Sequence, residues 1–285
     1  MSFLHVTSRS FWRITQAAIA VLFSLALAVP AQAADRARLE AFLEVTGFDV
    51  ALESIRLSAD SAPQMLGMRP EDFGSEWSRL VGDVFASEIM HEMALEILGE
   101  TLSDELLNHG ASFYADDLGK RLVAAENQSH MLEDGAGKDE TGAQILEGLE
   151  SIGSSRVALL QRLNEASGSE DSSVRAIQEV QVRFLMAAAS AGVIELQMEE
   201  ADLREMLRSR EGSMRASIRA SAMSGAAYTY QAFSDAEVAQ YAEALEDPRM
   251  KEVYALMNAV QFEIMANRYE AVAIRLKSMQ PSQEL

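Results

Sequence analysis

The densest group of potential ligands is Met90-His91-Glu92-Met93, which places two thioethers and an imidazole within four residues. Thioether and imidazole donors suit soft copper, so the group can be read as a copper site with Met90, His91 and Met93 as ligands. It is not the zinc-peptidase motif His-Glu-x-x-His, because position 95 is leucine. The competing reading is packing. Met93 falls on an apolar helical stripe, methionine fills irregular cores, and His91 belongs to another face. Packing is preferred, and no metal or cofactor is assigned. Met65-Leu66-Gly67-Met68 invites the same two readings, with an exposed loop as its plain explanation. His109 and His130 stand singly, each near an expected helix end where a cation is favoured.

Adjacent acids recur at Asp116-Asp117, Glu133-Asp134, Glu170-Asp171 and Glu199-Glu200. Two carboxyls at a set separation across a cleft can hydrolyse a glycoside. With 44 acids in 285 residues, neighbours arise by chance, so these pairs read as helix caps and solvated faces. Arg204, Arg208, Arg210, Arg215 and Arg219 form the one basic stretch. Glu199, Glu200, Asp202, Glu205 and Glu211 stand at helical spacings that neutralise it, the alternative being a site for an anionic envelope ligand. A nucleophile elbow, a phosphate loop and a dinucleotide fingerprint are all missing. So is cysteine, which removes disulfides, thiolate metal sites and a thiol nucleophile.

The elements that must position these side chains are helices. Long stretches are rich in Ala, Leu, Glu, Met, Gln and Arg, and poor in Gly and Pro. Phe73, Trp77, Leu80, Val81, Val84, Phe85, Ile89, Met93 and Ile97 form a 3.6-residue stripe that Gly74 and Gly82 weaken without breaking. A long helix from Asp247-Pro248 to about Ser278 is apolar on two sides, including Ile274, and should be central. Thr46-Gly47 stops one helix and Phe48 begins the next. Residues 133–142 and 166–173 are the expected exposed connections, with a helical link between them. The fold class is all-α, a helical bundle of two pseudo-repeated halves without β-sheet. The divisions are 34–132 for the first half, 133–173 for the link and 174–285 for the second half.

The halves rest on an internal echo. Residues 102–127 align without a gap on 233–258, a shift of 131, with seven of 26 positions identical. In each copy a serine caps a helix (Ser103, Ser234) beside an acid favoured by the helix dipole (Asp104, Asp235). Leu102 with Leu107, and Phe233 with Val238, have the spacing of a hydrophobic staple. Asp116 and Asp247 then cap a second helix, with Pro248 fitting its first position. The plainer alternative is two ordinary helix hairpins that share capping chemistry.

The run from Ser103-Asp104 through Phe113-Tyr114, Asp116 and Gly119-Lys120 resembles the exported bacterial "domain of unknown function 2059" family. That family's motif is a Ser-Asp-Glu-Leu start, an aromatic pair, a Ser/Thr-Pro step, then glycine and a basic residue. The first copy replaces the Ser-Pro step with Asp116-Asp117. The second keeps Ser234, Asp235, Pro248 and Lys251 but has Ala244-Leu245 for the aromatics, Asp247 before the proline and Met250 for the glycine. The resemblance implies an all-helical exported protein and carries no activity with it.

An address can be read at the start. Arg9 and Arg13 precede an apolar run, Ala17 to Val29, and Pro30-Ala-Gln-Ala33 supplies a small-residue cleavage site, so export with cleavage after Ala33 is expected. Removing that segment takes two arginines and no acid, moving the formal charge from −20 to −22. Such an excess opposes nucleic-acid binding, which needs a basic surface. No later segment is long enough to span a membrane. The expected product is a periplasmic or secreted protein. It reads as a non-enzymatic binding or interaction module for a protein, peptide or apolar ligand held in an apolar groove. The alternatives are a cell-envelope hydrolase using paired carboxylates, and, third, a copper carrier.

Overall fold

Asp35 opens the first helix: its carboxylate accepts from the Ala37 N–H, and α1 (Arg36–Thr46) ends where Gly47 turns to a φ of +69°. The computed structural model describes residues 35–168 and 170–279, which form one compact unit. The export segment, residues 1–33, lies outside the described residues. After α1 come α2 (Phe48–Ser54), a 3-10 turn (Ile55–Ser58), α3 (Ser61–Met65), a second 3-10 turn (Pro70–Phe73), α4 (Ser75–Val84) and α5 (Ser87–Thr101). Then follow α6 (Asp104–Tyr114), α7 (Asp117–His130), α8 (Gly135–Ser151), α9 (Arg156–Ser167) and α10 (Glu170–Ala191). The last four are α11 (Glu200–Ser209), α12 (Glu211–Thr229), α13 (Asp235–Glu246) and α14 (Pro248–Leu276). Every described element is helical, so the fold is all-α.

Three local expectations are corrected. The stripe from Phe73 to Ile97 is not continuous: Gly74, at φ +58°, separates the second 3-10 turn from α4, and Ala86 is extended before α5. The break resets the helical phase, so Met90 is fully buried while Ile89 is 40% exposed. The glycines of residues 133–142 do not make a loop. Asp134 caps α8 by accepting from Gly137 N at 2.8 Å. Gly142 lets α8 lie against α12 so closely that a Cβ there would stand 2.1 Å from Ser224 O. The region expected to be a link is therefore packed structure: α8 lies on α12, and α9 on α13. Within residues 166–173 helix returns by Glu170.

The central position of α14 holds. It touches α3, α4, α5, α6, α9, α10 and α13, and buries Val253, Val260, Ile264, Val272 and Ala273 at 2% exposure or less. Ile274 departs from the expected pattern and is 61% exposed. A large apolar side chain taken from water contributes about 1.5–3 kcal/mol, against about 0–1 kcal/mol for an exposed ion pair. The contiguous core, rather than the many surface arginine–acid pairs, therefore holds the helices together. Among the described residues no helix is long and apolar enough to cross a membrane.

Candidate functional site

Two capped corners set the site's framework. Ser103 Oγ accepts from Leu106 N at 3.3 Å, and Asp116 accepts from Gly119 N at 2.6 Å. Gly119 brings the first turn of α7 against the end of α6: a Cβ would lie 2.3 Å from Phe113 O and 2.6 Å from Tyr114 Cα. Asp104 binds Arg38 at 2.6 Å, which ties α6 to α1, while Lys120 is exposed. At the other corner Ser234 and Glu237 close a capping box, and Asp247 accepts from Arg249 N behind Pro248. Asp235 holds Arg156, whose other nitrogen donates to Tyr230 O at 2.5 Å. Lys251 is exposed.

The corners turn aromatic side chains inward. Phe113 stacks on Tyr241, centroids 5.7 Å apart and planes 6° apart, and Tyr230 meets Tyr241 at 5.9 Å. Tyr114 hydroxyl is 3.0 Å from that of Tyr241 and also bonds Tyr254, while Tyr241 and Tyr254 hydroxyls are 2.8 Å apart. At the end of this network Glu126 of α7 accepts from Tyr230 at 2.7 Å and from Tyr241 at 2.9 Å. Each hydroxyl has one proton, so Tyr241 gives its proton to Glu126 and accepts from a neighbouring tyrosine. Burial pushes the Glu126 carboxyl above its ordinary value of 4.5, and the two tyrosine bonds offset part of that rise. Burial also drives Tyr114, Tyr230 and Tyr241 well above 10, so all three are neutral donors at pH 7.

Glu126 faces a cavity of about 340 Å³ between α7, α9, α12, α13 and α14, closed on one side by the α1–α2 junction. Asn127, Asn164, Asn258 and Gln261 bring amides to its wall, and Phe48, Leu163, Leu245 and Met257 bring apolar surface. Ser129 and Thr229 bond each other at 2.8 Å, and Lys138 donates to Ser129 O at 3.4 Å. His130 lies at the same cavity and at the end of α7, as expected. Its pKa, however, is pushed down by desolvation and by Lys138, so the neutral form is favoured rather than the cation. Among the lining residues Glu126 is the one carboxyl, so paired carboxylates are not assembled there. The wall's converging polar groups also differ from the expected apolar groove.

The other groups resolve differently. Met90 is buried in the core, Met93 packs separately against it, and His91 is half-buried beside Glu88 and Glu92. No group of three or more His, Asp or Glu able to hold a metal occurs among the described residues. Met65 and Met68 pack against the core instead of standing in an open loop. His109 is within α6 rather than at its end, with Nε2 3.4 Å from Asp247. Four arginines of the basic stretch are paired with acids: Arg204 with Glu179 and Glu200, Arg208 with Glu205, Arg215 with Asp171 and Glu211, and Arg219 with Glu170; no acid pairs with Arg210 among the described residues.

Residues 88–147 match the family described as "Uncharacterized protein conserved in bacteria (DUF2059)". The match begins in α5, covers α6 and α7, and ends within α8; the second corner lies outside it. The DUF2059 stretch thus contains Ser103, Phe113, Tyr114, Asp116 and Gly119, whose places in the structure are caps, ring packing and a close backbone approach. It also contains Glu126. No curated protein and no solved structure matches the chain.

Glu126, Tyr230, Tyr241 and Tyr254 were not singled out by the sequence reading. One signal was present: Leu118, Leu122 and Glu126 follow each other at four-residue spacing, which puts an acid in line with a buried row of α7.

Proposed function

We propose that this is an exported, non-enzymatic helical binding protein, built as two related halves whose junction forms a pocket for a small polar molecule. The observation that carries the reading is the 340 Å³ cavity with Glu126 and several amides converging on it. Ligand sites combine this scale of volume with apolar walls and a few placed polar groups. Export rests on residues 1–33, with cleavage after Ala33. N-terminal sequencing of the protein recovered from a periplasmic fraction should begin at Ala34, and recovery of the intact start from the cytosol would refute it.

The pocket is tested by native purification followed by mass spectrometry of released small molecules, comparing wild type with Gly225→Leu. Gly225 lines the cavity and a Cβ there meets nothing within 4 Å, so leucine fills space without a backbone clash. A compound carried by wild type and lost from the folded variant is the expected result. Equal recovery from both proteins would overturn the pocket assignment.

A further inference from the structure

Acids elsewhere in the fold have arginine partners: Glu170 faces Arg219, Glu179 faces Arg204, and Glu263 and Glu270 share Arg183. Glu126 has no basic partner among the described residues. Both tyrosine bonds go to one oxygen, Oε1. Its other oxygen, Oε2, accepts from no described residue, yet it is not one of the fully enclosed atoms left without a partner. Glu126 lines the cavity, and Oε2 is its oxygen left free to face it. A carboxylate held on one side by neutral hydroxyls and open on the other lacks a counter-charge.

We propose that Oε2 of Glu126 receives a protonated amine, so that the pocket takes small ammonium compounds; this rests on the pocket reading above. An ammonium brings three donors and the missing positive charge. Aromatic rings beside the carboxylate suit a cation, and the amides of Asn164, Asn258 and Gln261 offer carbonyl acceptors to the rest of the molecule. A carboxylate ligand would instead meet Glu126 with like charge in a desolvated site. A neutral alcohol would fill the hydrogen bond but leave the charge unpaired. The acidic chain, at −20, adds a long-range attraction for cations. The upward shift of the Glu126 pKa agrees with a buried acid whose counter-ion is absent.

Three probes of equal length separate the cases: 1,4-diaminobutane, butane-1,4-diol and succinate, titrated by calorimetry into wild type, Glu126→Gln and Gly225→Leu at pH 7. The diamine should bind wild type at least tenfold more tightly than either other probe. Glu126→Gln, which still accepts from both tyrosines, should lose that preference, and Gly225→Leu should lose binding. Diol or succinate binding as tightly as diamine, or a diamine preference that survives Glu126→Gln, would overturn the amine assignment. If that binding is still blocked by Gly225→Leu, the pocket stands and only its ligand class is wrong. Failure of all three probes to bind wild type would count against both.

Discussion

Two sets of five helices share one pattern of pairing. In the first, α1 lies on α6, α2 on α7, and α5 touches both α1 and α2. In the second, α9 lies on α13, α10 on α14, and α12 touches both α9 and α10. Leu39 and Phe42 are buried ahead of Gly47, as Leu160 and Leu163 are ahead of Gly168. Asn127 lies against Gly47 at the end of α1, and Asn258 donates to Ser167 O at the end of α9 at 3.2 Å. The proposal of two related halves draws on these parallels, which would start the second half at α9. The pocket, however, lies where the halves differ. Just before the paired asparagines stand Glu126 in one half and Met257 in the other, both at the same cavity. Tyr241 and Tyr254 align with Gly110 and Val123. The first set of helices thus supplies the acid, and the second supplies the two hydroxyls bonded to it.

The sharpest contrast is at Gly119 and its counterpart Met250. Met250 is 1% exposed, and Met250→Ala should cost about 2–5 kcal/mol by opening a cavity. Gly119→Ala adds a methyl against backbone that cannot move aside, at about 1–3 kcal/mol. Urea unfolding measures both. A Gly119→Ala protein as stable as wild type would show that the two corners are not packed differently at this position.

Much of this framework is legible in the amino acids because it is local. A serine beside an acid, or an aspartate before proline, places a helix start within a few residues, and α6, α13 and α14 begin where those signals stand, while α7 begins at the aspartate cap Asp116. Phase across a break is not local: nothing near Phe85-Ala86 announces that α5 will bury Met90 and expose Ile89. Gly142 is hard to read because a glycine that admits a neighbouring helix looks the same in one dimension as a glycine that turns the chain. The pocket was hardest to read. Tyr230 and Tyr241 reach Glu126 across sequence separations of 104 and 115 residues, with Tyr254 joined through Tyr241, and only the packing of the helices brings them there.

The acid–hydroxyl asymmetry can be broken next. Tyr241→Phe removes one of the two bonds to Glu126 and should cost about 1–2 kcal/mol. The pH response has a defined sign. Because folding raises the Glu126 pKa above 4.5, the folded chain holds that proton more tightly than the unfolded chain, and stability falls as pH rises through the interval between the two values. Glu126→Gln should remove that part of the slope. Tyr241→Phe should carry it to higher pH, since the lost bond held the pKa down. Unfolding curves collected from pH 4 upward check this, and an unchanged slope in Glu126→Gln would mean that folding does not shift the pKa of this carboxyl.

Smaller effects distinguish the caps. Ser103→Ala and Ser234→Ala should each cost about 1 kcal/mol, with Ser234 the more damaging because its hydroxyl also bonds the Glu237 carboxylate, beside a backbone N–H bond that the variant keeps. Those contacts, led by the Ser234 N–H and followed by Arg121, hold Glu237 down at about 2. A lowered carboxyl stabilises above its ordinary value of 4.5 and loses that contribution as pH falls toward 2, so the gap between the two serine variants should narrow in acid. Arg121→Met is expected to change least. Its guanidinium joins α7 to α13 through Glu237 at 2.6 Å and lies over the Phe233 ring, but both ends of the ion pair are open to water. The loss should be smaller than that of either cap and should shrink further in 1 M salt, where the screening length is about 3 Å. If Arg121→Met instead matched Ser234→Ala at high salt, the two corners would be joined by ring packing on Phe233 and not by charge.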